Sequence, residues 1–442
     1  MPARRPTPAT HPSAQQRITQ LASLPPVHGA FQWLHLNEKR FREWQLAIIR
    51  IPAPPFAEQE RAAWLLQEFR RIGLSNPHID VEGNVLGEIP AHAPNDGAGR
   101  PDGPCVLLSA HIDTVFPAGT RCEPTQDGAR ILAPGACDNA AGVTALLAMA
   151  CVLLNCGVAP QCTLLFAANV GEEGEGDLRG MRHLFQRSPY RDRIAATVAL
   201  DGAGTESVVA QALGSRRFRV ALNGPGGHSW ADAANPNPVL TLCRAMATLA
   251  DAELPSHPRT TLNIGTIQGG TGVNSIPETA AAQIDARSTD PEQLLRLEVL
   301  LHRAVEDAVQ TANAALPRAV HRSAQPPPNA LSFTIEVIGD RPAASLPADA
   351  RVIESIRAVD RHLGLRTEMR IGSTDANIPL SLGREAISIG AGGAGGGIHT
   401  SGEWYDPTGR ELALRRILLL LLDLCGTAGI PQLPLQEAQS SF

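Results

Sequence analysis

The sequence predicts an α/β protein with a mostly parallel central sheet, interrupted once by an inserted α+β module. Three observations carry this reading. Short apolar runs recur without alternation (CVLLSA, CTLLFAANV, IAATVAL and, much later, AISIG), as strands buried on both faces require. Between the first two lies AAGVTALLAMACVLLN, long and apolar enough for a crossover helix. From about 212 to 340 the pattern changes to alternation of apolar and polar residues, the mark of half-exposed antiparallel strands.

Taken in order, residues 1–36 are rich in Pro, Gln, Ala and Thr and read as a loosely ordered extension. The first part of the α/β domain spans 37–211. Its apolar residues recur at helical spacing from Phe41 to Leu74, broken by an IPAPP turn, and RAAWLLQEFRRIGL is an amphipathic helix stopped by Gly73. The module at 212–340 offers RRFRVALNG, TTLNIGTIQGG, AAAQIDARS and SFTIEVI as strands, with DPEQLLRLEVLLHRAVEDAVQTANA as a long amphipathic helix. That order is ferredoxin-like. The α/β pattern resumes over 341–442 with VIESIRAVDRHLG and AISIGAGG.

Composition narrows the partners. The chain has 442 residues, 43% hydrophobic and 19% charged, with a net charge of −6, so no basic surface invites nucleic acid or an anionic membrane. Lys39 is the sole lysine, and no phosphate-binding motif accompanies the arginines. Eight cysteines form no C-x-x-C pair and no regular framework, as expected of small core residues in a reduced, cytoplasmic protein. MPARRPTPATHPSA lacks the apolar stretch of a secretory signal, and ILLLLLDLC is too short to span a bilayer. AGGAGGG lacks the Lys-Ser/Thr of a phosphate loop and reads as flexible backbone leading to His399.

The chemistry gathers where the apolar runs end. CVLLSA runs into His111 and Asp113, GACDN supplies Asp138, CTLLFAANV leads to Glu172 and Glu173, IAATVAL ends at Asp201, and AISIG leads through glycines to His399. Ligands of open α/β sheets bind outside the carboxyl ends of the strands. Any one of these residues alone is more often a solvated loop acid or a satisfied histidine. Two imidazoles and several carboxylates in apolar flanks, where unpaired charge is costly, point together to a metal site.

The order HxD, DN, GEEG, DG, GGHSW, NSIP, DAR and GIHT is similar to that of the M20 metallopeptidases and amidohydrolases, among them acetylornithine deacetylase, carboxypeptidase G, peptidase T and the aminoacylases. The resemblance covers about Phe41 to Asp423. It implies a zinc-hydrolase catalytic domain with the 212–340 module as a lid and dimerisation domain. It implies that His111 and Asp201 bind one divalent ion and Glu173 and His399 a second, with Asp138 bridging. Zn²⁺ suits imidazole and carboxylate ligands, and Co²⁺ or Mn²⁺ are possible occupants. Glu172 falls at the general base, Asp113 behind His111, His228 at an oxyanion donor, and Asn274 and Arg287 at contacts to a substrate carboxylate. Beside that last role, Arg287 has a plainer reading as an ion pair with Asp285 or Asp290.

The implied substrate is a di- or tripeptide cut by an exopeptidase, or else an N-acyl amino acid cut by a deacylase. A homodimer through the lid is implied as well. The M28 aminopeptidases use a similar ligand set, but the insertion between Asp201 and His399 speaks against them. A non-catalytic scaffold is opposed by Glu172 beside a full ligand set. Three departures bear on the substrate: Ala140-Ala141 after Asp138-Asn139, Ser229-Trp230 after His228, and Gly372–Asn377, which matches the family's late loop only in outline.

Overall fold

A computed structural model describes residues 12–92, 103–157, 159–316 and 330–427. The chain divides into two compact units, one of Met1–Gln211 with Ser345–Phe442 and one of Ala212–Ala344.

The first unit is built on a nine-stranded sheet. Its centre is parallel: Cys105–His111 lies between Thr163–Asn169 and Ile194–Leu200, and Ile194–Leu200 continues to Glu385–Ile389. Val85–Ile89 joins antiparallel on the far side of Thr163–Asn169. Every residue of Cys105–His111 and Thr163–Asn169 is buried, which is why neither run alternates. The crossover helix Ala140–Asn155 is buried from Ala140 to Leu153 and packs on one sheet face. The C-terminal helix Arg410–Cys425 packs on that face too, with Leu414 and Ile417–Leu422 fully buried. On the other face Leu107, Leu165 and Ile194 meet Met181, Leu184 and Ile378. The result is helices on both sides of a mostly parallel sheet, with all four parallel strands ending at one edge.

The N-terminal segment departs from expectation. Within the described residues it is helical, Ala14–Ala22 and then Pro25–Leu36. Its Pro, Gln and Thr suggest a loose chain, yet Ile18, Leu21, Val27, Ala30 and Leu34 recur at helical spacing and are buried in the main core. Ser13 and Gln16 form a capping box at the first helix, and Pro25 and Pro26 occupy the first turn of the second, where a missing N–H costs nothing. Arg17 makes a buried two-point ion pair with Asp423, at 2.7 and 2.9 Å. Residues 14–36 pack into the core, and residues 1–11 of the expected loose extension lie outside the described residues.

The second unit is an antiparallel sheet in the order Thr260–Gly269, Thr279–Ser288, Gly214–Asn223, Ser332–Arg341. With the helices Pro238–Ala250 and Pro291–Ala314 it has the strand–helix–strand–strand–helix–strand order of a ferredoxin-like module. Phe218, Val220, Ile284, Leu242 and Leu301 share its core. All eight cysteines are free thiols, and among the described residues no helix is long and apolar enough to cross a membrane.

Candidate metal centre

Three of the candidate ligands lie at or just past the carboxyl ends of parallel strands, Asp138 precedes the N-cap of the crossover helix, and His399 follows the short strand Ala394–Gly396. His111 is the last residue of its strand, and Asp201 follows Leu200 directly. Glu172 and Glu173 leave the end of Thr163–Asn169, and Asn139, next to Asp138, caps the crossover helix by accepting from Gly142 N at 3.1 Å.

Folding brings these groups together. His111 Nε2 lies 3.2 Å from Asp138 Oδ1 and 3.8 Å from Asp201 Oδ1. His399 Nε2 lies 3.0 Å from Asp138 Oδ2 and 3.1 Å from Glu173 Oε1. Thus the two oxygens of one carboxylate face two different imidazoles. Three overlapping sets, His111/Asp138/Asp201, Asp138/Glu173/His399 and His111/Glu172/Glu173, each have ligand atoms within 4.8 Å of one another.

The electrostatics are those of a crowded, buried acidic cluster facing two imidazoles. Glu172 and Glu173 are 5% and 6% exposed, and Asp138 Oδ1 is buried without a hydrogen-bond partner. Hydrogen bonds to Asp138 and Glu173 push His399 up to about 10. Burial opposes a charge on His111, yet Asp113, Asp138 and Asp201 together hold it well above the ordinary imidazole range. The same imidazoles hold Asp138 low against its burial. Crowded carboxylates with imidazole nitrogens turned toward them form a donor set that divalent ions fit.

The neighbouring polar groups are spent on backbone. Asp113 stands 3.7 Å from His111 Nδ1, which lies closer, 3.2 Å, to the Asp113 carbonyl. Its carboxylate accepts instead from Glu172 N at 3.0 Å and Glu173 N at 2.7 Å, so it ties the two ligand loops together. Asn139 Nδ2 donates to Leu200 O at 2.9 Å, fixing the strand end before Asp201.

Sequence reasoning did not single out Asp375 or Glu403. Asp375 accepts from Asn169 Nδ2 at 2.8 Å, and burial pushes its carboxyl up to about 7. Glu403 is fully buried and bonded to the backbone beside Asp138. The signal available for it was an acid four residues after His399. The glycine run before His399 also differs from expectation. It is close-packed: a Cβ on Gly395 would stand 2.3 Å from Cys137 Sγ, and Ala394–Gly396 is a strand paired with Trp404–Asp406.

In the second unit, Gly227–His228 pairs with Ser275–Ile276, and Ser229 N donates to Asn274 O at 3.0 Å, so His228 and Asn274 are neighbours. His228 Nδ1 accepts from Trp230 N and Ala231 N at 3.2 and 3.3 Å, which leaves Nε2 to carry the proton and donate. Arg287 does not join them. It lies eight residues along its strand from Thr279, roughly 26 Å at the usual rise. Its Nε donates to Asp285 at 2.6 Å. Residues two apart on a strand share a face, so Asp285 binds the guanidinium through Nε, the plainer of the two readings that the sequence offers.

Comparison with known proteins agrees with this architecture. A probable carboxypeptidase of Paracoccidioides brasiliensis is 31% identical over 224 residues, 46% of this chain and 49% of that protein. The chain thus spans about half the length of the first curated relatives that it matches. Aminopeptidase PepT of Bacillus cereus superposes with a TM-score of 0.67 at 20% identity, over 87% of this chain and 98% of that one. YXEP of Bacillus subtilis, described as a dinuclear metal binding peptidase, gives 0.62 at 15%, over 88% and 98%. At such identities the structural likeness carries the fold alone. From Leu107, in the strand that ends in His111, to Leu422 in the C-terminal helix, the sequence matches the model of peptidase family M20/M25/M40, and the chain belongs to that family.

Proposed function

We propose that the chain is a two-metal hydrolase that cuts an amide bond in a small substrate, as an exopeptidase on di- or tripeptides. The observation that carries this is the Asp138 carboxylate, whose Oδ1 and Oδ2 face His111 and His399 at 3.2 and 3.0 Å. His111 and Asp201 would hold one ion, Glu173 and His399 the other, with Asp138 shared. When bound, such ions supply a Lewis acid for the scissile carbonyl and ease ionisation of water.

The protein's own groups would do the rest. Glu172 takes a proton from the attacking water and returns it to the leaving amine nitrogen, and its burial excludes competing solvent. Asp113 holds the backbone of Glu172 and Glu173 through two N–H bonds and so fixes the base relative to the ligands. His228, with Nε2–H free to donate, serves the developing oxyanion, and Asn274 beside it contacts substrate. The exposed edge strand Thr260–Gly269 supports a homodimer formed through the second unit.

The test is a hydrolysis screen of dipeptides, tripeptides and N-acetyl or N-succinyl amino acids with Zn²⁺, Co²⁺ and Mn²⁺. Turnover of peptides above N-acyl amino acids is expected. Preference for the N-acyl substrates would make the enzyme a deacylase, and no turnover of either class would refute the proposal.

A further inference from the structure

We infer that Glu403 is a positioning residue for the metal centre, whose buried carboxylate fixes the backbone that carries Asp138. This rests on the two-metal reading. Oε1 accepts from Cys137 N and Asp138 N, both at 2.8 Å, and Oε2 accepts from Gly135 N at 2.9 Å. The Glu403 carbonyl also accepts from Ala133 N at 3.0 Å. One residue therefore grips the chain from 133 to 138.

The same residue reaches the other side of the centre. Glu403 N donates to Thr400 O at 3.2 Å, and Thr400 N to Gly397 O at 3.0 Å, so a tight loop joins Glu403 to His399. His399 itself sits at a φ of 64°, a left-handed conformation that a non-glycine residue keeps only when its surroundings impose it. A single short segment thus presents His399 and clamps the backbone of the carboxylate that His399 faces.

The choice of residue is informative. Glu403 is fully buried, and a buried carboxylate is costly unless its oxygens are well bonded. A carboxylate is acceptor-only and can meet N–H groups with both oxygens, whereas glutamine sets an NH₂ against one of them. An apolar residue would meet none. It would also strand three buried N–H groups, at about 1–3 kcal/mol each. A ligand segment must be held within about half an ångström, and three N–H bonds to one carboxylate do that here.

The experiment compares metal-free and Co²⁺-loaded wild type, Glu403→Gln, Glu403→Leu and Glu403→Asp. It reads Co²⁺ affinity by chelator competition, the visible Co²⁺ spectrum, and the melting temperature without metal. Loss of a group that supports a ligand typically weakens metal binding about 10–100-fold. Glu403→Gln and Glu403→Leu should lose that much for both ions, with a changed spectrum, while melting without metal falls by several degrees in Glu403→Leu, which strands three N–H groups, and less in Glu403→Gln, which keeps one acceptor. Glu403→Asp, which restores both acceptors on a shorter arm, should recover part of the affinity.

Affinities within threefold of wild type in Glu403→Gln and Glu403→Leu would overturn the inference and leave the two-metal reading standing. So would failure of all three variants to fold without metal, because the role would then be structural. A wild type that takes up no Co²⁺ would overturn the two-metal reading and this inference with it.

Discussion

Truncating Asp423 probes the packing of the N-terminal helices. Asp423 is fully buried and accepts from Arg17 Nε at 2.7 Å, Arg17 Nη2 at 2.9 Å and Ser355 Oγ at 2.6 Å, so it joins three helices. Arg17 is 4% exposed, and Asp423→Ala leaves its guanidinium buried with only the Pro12 carbonyl at 3.2 Å. Removing one partner of a buried pair costs about 3–5 kcal/mol, far above the 0–1 kcal/mol of a surface pair. The assay is urea unfolding, read as a lower midpoint at unchanged slope. Arg17→Met combined with Asp423→Leu should recover most of the loss, because neither charge is then stranded; the cycle isolates the coupling. A cost below about 1 kcal/mol for Asp423→Ala would mean that Arg17 reaches water, and the packing described for Ala14–Leu36 would be wrong.

Four further outcomes are expected. Glu172→Gln should keep fold and metal while kcat falls about 10²–10⁴-fold, and retention of a tenth of wild-type kcat at saturating metal would assign the base elsewhere. His228→Ala should lower kcat about 10²–10³-fold with little change in KM, as loss of an oxyanion donor does; a change confined to KM would contradict that role. Mixing it with Glu172→Ala under demonstrated subunit exchange should restore some activity if the histidine is shared across a dimer. Burial alone would raise the Asp285 carboxyl, but Arg287, Ser215 and Arg217 outweigh it and hold it below the usual range. A depressed carboxylate stabilises the fold above its unfolded value near 4, and that contribution is lost as pH falls further. Asp285→Asn should therefore be less stable than wild type at pH 7 and should converge with it as the pH drops below about 4; parallel profiles would contradict the ion pair.

Much of this was legible in the sequence, for a physical reason. Strands buried on both faces leave continuous apolar runs, so Cys105–His111 and Thr163–Asn169 announced themselves, and the acids and imidazoles at their ends stood out against apolar flanks. The N-terminal helices were not legible from composition: the segment is rich in Gln, Thr and Pro, and only Ile18, Leu21, Val27, Ala30 and Leu34 mark its buried stripe. Glu403 showed only as an acid four residues after His399, because its partners are backbone N–H groups, which no side-chain pattern records. The glycines before His399 look flexible in sequence, whereas Gly395 is required by the approach of Cys137. Arg287 and Asp285, two apart in one strand, allowed both an ion pair and a free fork, and only the fold separates Arg287 from Asn274.

The proposed two-metal chemistry depends on Asp138 as the shared ligand of two ions. The direct measurement is elemental analysis of metal per chain in wild type, Asp138→Ala, Glu173→Ala and His399→Ala, each dialysed against the same buffered Zn²⁺. Up to two ions are expected in wild type, with loss of both in Asp138→Ala and loss mainly of one in each of the other two variants. Wild-type metal content in Asp138→Ala would contradict the shared-ligand assignment.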